Sequence, residues 1–290
     1  MAGVSTPTPP PTAPDRLPQQ HDLDALLAVA ETVAREAGAL VHEGRPERVT
    51  VAATKSSPQD VVTAMDVASE TLLRRRLAEL RPDDGVLGEE GTDHAGTSGV
   101  TWVVDPIDGT VNYLYGIDDY AVSVAAVVGD PDPATWTVLV GCVHAPAVGT
   151  TYTAARGRGA WRDGVPLQVN ADVPLALSLV GTGFGYEAER RRAQGAVVAA
   201  LLPQVRDVRR IGSAALDLCR LGAGGLDLYY ERGLNPWDLA AGQLVAQEAG
   251  AVVTGLHGRP PGRDMTVAGP PAGQAELVRL LEGLRADEGA

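Results

Sequence analysis

The chain has 290 residues, 44% of them apolar, and a formal net charge of −13. That length admits one large domain or two small ones, and charge of that sign sets the chain against nucleic acid and anionic lipid as partners. No apolar run approaches the roughly 18 residues of a membrane span, no basic-then-apolar leader opens the chain, and two cysteines, Cys142 and Cys219, are too few for a disulfide framework. A reduced, cytoplasmic protein is expected.

Residues 1–20 form a Pro/Thr-rich tail without periodicity and are expected to be disordered. From residue 22 to 43 apolar side chains recur at helical spacing: Leu23, Leu26, Leu27, Ala30, Val33, Ala37, Leu40, Val41. A second helix is predicted over 63–80 and ends at Arg81-Pro82. The period then changes. Strands are predicted at 101–105, 119–130, 135–145 and 148–154, joined by turn residues such as Asp130-Pro131-Asp132-Pro133. Beyond these, strands at 177–183, 205–210 and 226–230 alternate with helices near 187–202, 213–222 and 236–249. A short strand, Ala251-Val252-Val253-Thr254, and a final helix near 271–285 close the chain. No linker divides it, so residues 21–287 read as one layered α/β domain with a strand-rich first half. The arginine clusters at 74–76, 190–192 and 209–210 read as solvated faces or ion-pair partners.

The chemistry concentrates in Trp102-Val103-Val104-Asp105-Pro106-Ile107-Asp108-Gly109-Thr110. An apolar strand delivers two aspartates, three apart, into a Pro/Gly turn that opens a short helix. Carboxylates held by a stiff proline and a permissive glycine suit a metal site, and the Gly109 and Thr110 amides can face an anion. Three other acidic segments have plain alternatives. Gly88-Glu89-Glu90-Gly91 could be a solvated loop. In Asn235-Pro236-Trp237-Asp238 the acid could simply favour a helix start. Thr63-x-x-Asp66 reads as a capping box. Lys55 is the single lysine of the chain.

Taken together these segments resemble the inositol monophosphatase family. The stretch Lys55 to Asp66 is similar to its first motif, Gly88-Glu89-Glu90 to its second, Asp105 to Thr110 to its third and Trp237-Asp238 to its last. The resemblance spans residues 40–250 in the right order, with Gly91 where many members carry serine, a change expected to be harmless. It implies an αβαβα layered architecture, with sheets between helix layers, and a homodimer. It further implies two to three Mg²⁺ ions: one on Glu89, Asp105 and the Ile107 carbonyl, a second on Asp105, Asp108 and Asp238, and a more hydrated third on Glu89. Asp66 and Thr110 would act on the attacking water, with Lys55 as a cation near the metals. Gly109 and Thr110 would hold phosphate. Asp108, Gly212, Ser213, Ala214 and Glu231 would meet the substrate. Lithium sensitivity is implied as well.

The residues themselves agree with this reading. All the proposed ligands are hard oxygens, which suit Mg²⁺, and none of the five histidines or two cysteines has zinc-type spacing. Phosphoaspartate chemistry would need Asp two residues before Asp108, where Pro106 stands. Cysteine-phosphatase, histidine-phosphatase and P-loop signatures are missing. The expected reaction is hydrolysis of myo-inositol-1-phosphate, a small phosphorylated polyol, by metal-activated water. Histidinol phosphate, fructose-1,6-bisphosphate or a 3′-phosphonucleotide remain open as substrates. So does a regulatory role in transcription or translation, as in some bacterial relatives.

Overall fold

The computed structural model describes residues 21–55 and 61–288. The expected disordered tail and the stretch 56–60 of the first motif lie outside these residues. Helix α1 (Leu23–Glu43) starts at Asp22, whose Oδ1 accepts the Asp24 and Ala25 amides at 3.1 Å. A short hairpin follows, β1 (Val51–Thr54) with β2 (Val61–Thr63), and leads into α2 (Ala64–Leu80). Then come β3 (Gly85–Gly88), β4 (Val100–Asp108), α3 (Thr110–Tyr115), β5 (Ala121–Val128), β6 (Thr137–Ala145), β7 (Thr150–Ala155), β8 (Gly159–Arg162) and β9 (Val165–Pro166). The last part holds β10 (Leu179–Thr182), α4 (Ala188–Leu201), β11 (Asp207–Arg209), α5 (Ala214–Gly222), β12 (Leu228–Glu231), α6 (Pro236–Glu248), β13 (Val252–Thr254), β14 (Thr266–Gly269) and α7 (Pro271–Gly283). No helix among the described residues is long and apolar enough to cross a membrane.

Strands β3 to β9 form a seven-stranded sheet in chain order, antiparallel except for the parallel pair β3 and β4. A second sheet has the order β11-β10-β12-β14-β13, parallel around β10 and antiparallel around β14. Three apolar clusters set the layers. Leu26, Val33 and Val41 of α1 and Leu73 and Leu77 of α2 pack on Trp102, Val104, Val122 and Val124 of the large sheet. The opposite face of that sheet, through Val103, Ala125 and Val127, meets α5 and α6, which also cover Tyr229 and Ala268 of the smaller sheet. Val180, Leu228 and Val267 on the far face of the smaller sheet pack on Val197 and Leu201 of α4 and Leu277 and Leu281 of α7. The layers therefore run helix, sheet, helix, sheet, helix, the αβαβα order expected. Both faces of each sheet are covered, which explains strands that are apolar throughout, such as Ala121–Val128.

One departure from the sequence reading shapes the site. The turn expected after Asp105 is not a turn: β4 continues to Asp108. Asp105 pairs with Ser123 and Asp108 with Ala121, so three steps along β4 oppose two along β5. This is a bulge of one residue. In an unbroken strand, residues three apart point to opposite faces. The extra residue puts Asp105 and Asp108 on the same side.

Candidate metal centre and phosphate pocket

Asp105, Asp108 and Asp238 each offer a carboxylate oxygen, and the three atoms lie within 4.8 Å of one another. Asp105 and Asp108 are buried, at 1% and 7% exposure. Each acid is held by its local chain. Asp105 Oδ1 accepts the Ile107 amide at 3.0 Å across the bulge. Asp108 Oδ2 accepts the Ser213 hydroxyl at 2.5 Å and the Ala215 amide at 2.8 Å, at the start of α5. Asp238 Oδ2 accepts the Asn235 amide at 2.7 Å, at the start of α6. In Asp108 and Asp238 the other oxygen is left for the centre.

Glu89 follows β3, which lies parallel to β4. Lys55 Nζ holds it at 2.7 Å and holds Glu90 at 2.5 Å. The turn is set from beneath by Glu70, an acid that the sequence reading did not single out. Glu70 is 2% exposed; its Oε2 accepts the Glu90 amide and its Oε1 the Gly91 amide, both at 2.7 Å, and Arg74 Nε donates to the same Oε1. A signal was available, since Asp66 and Glu70 are four apart on α2 and so share a face. Position 91 is also tied to this pair. A Cβ on Gly91 would stand 2.7 Å from Glu70 Oε1 and from Arg74 Nε. Serine could not replace glycine here without moving Glu70 or Arg74.

Asp66 closes the cap of α2 and also meets Thr110. Its Oδ2 accepts the Thr63 amide at 2.8 Å and the Thr63 hydroxyl at 2.5 Å, completing the capping box of α2. Its Oδ1 accepts the Thr110 hydroxyl at 3.1 Å. The same hydroxyl lies 3.0 Å from the Ile107 carbonyl. Gly109, which links β4 to α3, has φ +98°, and a Cβ there would stand 2.8 Å from the Asp119 carbonyl. Any other residue would strain the turn and crowd it.

These groups line a cavity of about 410 Å³. Glu89, Asp105, Ile107, Asp108, Gly109, Thr110 and Asp238 surround it with Lys55, Gly212, Ala214 and Glu231. Of the expected site residues, Ser213 and Asp66 stand outside this lining. Ser213 is 1% exposed and donates its hydroxyl to Asp108, so it positions that acid. Glu231, at the end of β12, accepts the Tyr229 hydroxyl at 2.7 Å. A Cβ on Gly183 would lie 2.0 Å from its Oε1, so the bare backbone of Gly183 makes room for this carboxylate. The Gly181-to-Gly185 cluster is thus a packing device beside Glu231.

The electrostatics call for cations. Burial first, and then mutual repulsion, push the Asp105 and Asp238 carboxyls well above the usual range. Burial raises Glu89 to about 7 against the pull of Lys55, and raises Asp108 to about 6 against its Ser213 and Ala215 hydrogen bonds. Glu231 is pushed up to about 7 by burial. Burial opposes the charge of Lys55, but Glu89 and Glu90 outweigh it and raise its pKa. Hard oxygen donors crowded in this way fit a divalent cation.

The inositol monophosphatase family profile matches residues 22–286. The chain belongs to the inositol monophosphatase family. It is 44% identical to the inositol-1-monophosphatase SuhB of Mycobacterium tuberculosis, over 93% of this chain and 96% of that one. It is 36% identical to a protein of Pasteurella multocida named Nus factor SuhB, over 81% of this chain and 87% of the other. The crystal structure of the extragenic suppressor protein suhB from Bartonella henselae superposes with a TM-score of 0.80 at 30% identity, over 89% of this chain and 98% of that one. Membership of the inositol monophosphatase family carries phosphatase activity on phosphorylated small substrates and dependence on metal, in accord with the acidic cluster.

Proposed function

We propose that the chain is a Mg²⁺-dependent phosphomonoesterase that hydrolyses phosphorylated polyols, myo-inositol-1-phosphate among them, to the free polyol and phosphate. The observation that carries this reading is the triad of Asp105, Asp108 and Asp238 in a pocket also lined by Gly109, Thr110 and Glu231. Asp105, Asp108, Asp238, Glu89 and the Ile107 carbonyl would hold two to three ions. When bound, such ions neutralise the phosphate, lower the pKa of water and stabilise the leaving alkoxide.

The residues of the chain supply the rest. The Gly109 and Thr110 amides receive phosphate oxygens. Were the Ile107 carbonyl to serve a cation, the Thr110 hydroxyl would donate its proton to Asp66 Oδ1. Burial raises the Asp66 pKa, which makes it a better base. Thr110 can then take a proton from a water beside Glu89, while Lys55 keeps Glu89 and Glu90 in place. Glu231 accepts hydrogen bonds from polyol hydroxyls. Phosphate release from inositol-1-phosphate, histidinol phosphate, fructose-1,6-bisphosphate and a 3′-phosphonucleotide, each with and without Mg²⁺, tests the proposal. Silence on all four would favour a regulatory role, which the Nus factor name of the Pasteurella relative supports for that protein. A cytoplasmic homodimer belongs to the same proposal.

Glu231→Gln should raise KM for inositol-1-phosphate about tenfold, the worth of one hydrogen bond to a charged group. KM for p-nitrophenyl phosphate should stay within about twofold. Equal effects on the two substrates would remove Glu231 from polyol recognition.

Stability should depend on pH in an unusual direction. The raised carboxyls bind protons in the folded, metal-free chain that the unfolded chain has already released. Stability is therefore fully present below about pH 4, where both states are protonated, and is lost as pH rises through about 6 to 7. Melting of EDTA-treated protein should occur at lower temperature at pH 8 than at pH 5. Added Mg²⁺ should raise the midpoint more at pH 8. A Mg²⁺ shift that shrinks with rising pH would contradict the carboxylate site.

A further inference from the structure

Helix α2 is bedded on the large sheet through Leu73 and Leu77, which pack with Trp102 and Val104 of β4. A second face of the helix is polar. Asp66 lies three and four residues before Ser69 and Glu70, and Glu70 lies four before Arg74, so the four side chains stand together. Asp66, Ser69 and Glu70 are buried, at 1%, 0% and 2% exposure. Polar groups buried on that scale have partners, and here the partners fall on two separate segments.

One segment is the turn that carries Glu89. Glu70 accepts the Glu90 and Gly91 amides, and Arg74 Nη1 donates to the Thr92 carbonyl at 3.0 Å. A Cβ on Gly88 would stand 2.6 Å from Glu70 Oε1, so the carboxylate is wedged between the two glycines that flank Glu89 and Glu90. The other segment is the bulge of β4 that carries Asp105. Ser69 Oγ donates to the Pro106 carbonyl at 3.1 Å, inside the bulge. Ser69 and Glu70 are consecutive, so one step of the helix ties the two segments together.

The sheet does not make this tie. The pairing of β3 with β4 runs from Gly85 and Thr101 to Gly88 and Val104, and stops there. Glu89 and Asp105 are the next residues on each strand. Of the charges that oppose ionisation of Asp105, that of Glu89 is the largest, so without a cation the two ends repel each other. A divalent cation such as Mg²⁺ accepts ligand distances only within about 0.2 Å, which makes the separation of the two segments decisive. We propose that Ser69, Glu70 and Arg74 are positioning residues that make α2 the gauge for the separation of Glu89 from Asp105, and so for the affinity of the centre for a divalent cation. This rests on the reading of Glu89 and Asp105 as cation ligands.

The test is a calorimetric Mg²⁺ titration of EDTA-treated protein without substrate, beside the melting midpoint without metal. The variants are Ser69→Ala, Glu70→Gln, the two combined, and Leu72→Ala. Glutamine at 70 keeps the size but turns an amide donor toward backbone N–H groups. Ser69→Ala and Glu70→Gln should each weaken Mg²⁺ binding about 10- to 100-fold. The combined variant should be little weaker than the worse single, because losing either tie frees the separation. Leu72, on the same helix, packs against the apolar cluster and touches neither segment through a hydrogen bond. Leu72→Ala should lower the midpoint yet leave Mg²⁺ affinity within about twofold. Loss of affinity in Leu72→Ala at the same midpoint as Ser69→Ala would reduce the effect to general stability and overturn the proposal. Additive losses in the combined variant would reduce it to separate local contacts and overturn it as well. Should Glu70→Gln not fold without metal, Ser69→Ala, which removes one hydroxyl, decides alone: unchanged affinity overturns the gauge. Mg²⁺ binding by wild type with unmoved variants would sink the gauge and spare the cation site. No Mg²⁺ binding by wild type would sink the cation reading, and the gauge with it.

Discussion

Asp105→Asn is expected to lower kcat by at least about 10³-fold while the chain stays folded. The amide is the same size, and its Oδ1 can still accept the Ile107 amide, so the bulge of β4 keeps its hydrogen bond. What disappears is one negative charge at the place where Glu89, Asp108 and Asp238 all repel it. Metal-free Asp105→Asn should therefore melt no lower than wild type. Its Mg²⁺ affinity should fall by more than the 10- to 100-fold typical of a partner one step removed from the ion. Three measurements decide: kcat, a Mg²⁺ titration by calorimetry, and the melting midpoint without metal. Near-native turnover would end the metal assignment, and a large loss of midpoint would mean that Asp105 serves the fold.

The second large effect concerns Thr110 and Asp66. Thr110→Ala should lower kcat about 10²- to 10⁴-fold, the range for a lost general base, with little change in Mg²⁺ affinity or melting. Asp66→Asn should lower kcat similarly, and the double variant should be little worse than either, because the two act as a unit. The variants differ in stability. Asp66 also closes the capping box of α2 through Thr63, so Asp66→Asn should cost about 0.5–2 kcal/mol. Sequence reasoning sets capping against catalysis as alternatives. The structure gives one carboxylate oxygen to the cap and the other to the Thr110 hydroxyl. Thr110→Ser should restore most of kcat, since the hydroxyl is the working group. Additive losses in the double variant would break the proposed relay.

Much of this was readable in the residues because the signals were local. The helical spacing from Leu23 to Val41 and the apolar runs of β4 to β7 depend on neighbours in sequence, and they fell where expected. The hairpin of β1 and β2 and the strands β3, β8, β9 and β14 were not foreseen. They are two to four residues long, too short to show a period, and β14 follows the Pro/Gly-rich run Pro260-Pro261-Gly262. The DPIDGT segment announced its acids, yet the bulge that aligns them is a property of pairing with β5 and leaves no mark in β4 alone. Glu70 and Asp217 were passed over for a similar reason, and the bond from Ser213 to Asp108 was missed although Ser213 itself was expected at the site. Each looks like an ordinary polar helix residue until folding buries it. Asp217 ends with neither carboxylate oxygen hydrogen-bonded, and burial followed by Glu231 pushes its pKa well above the usual range.

Three of the acids have their second oxygen fastened to a helix beginning: Asp66 at α2, Asp108 at α5 and Asp238 at α6. The centre is therefore a junction at which three separately folded segments must be in place together. Fraying the first turn of any one releases a carboxylate, and the centre fails as a whole. Such a junction reports distant damage. A substitution that loosens α5 against the smaller sheet, far from any bound phosphate, would surface as weaker cation binding before it appeared as unfolding. The amides of Thr63, Ala215 and Asn235 should accordingly exchange with solvent as a linked set, all slowed when the centre is filled.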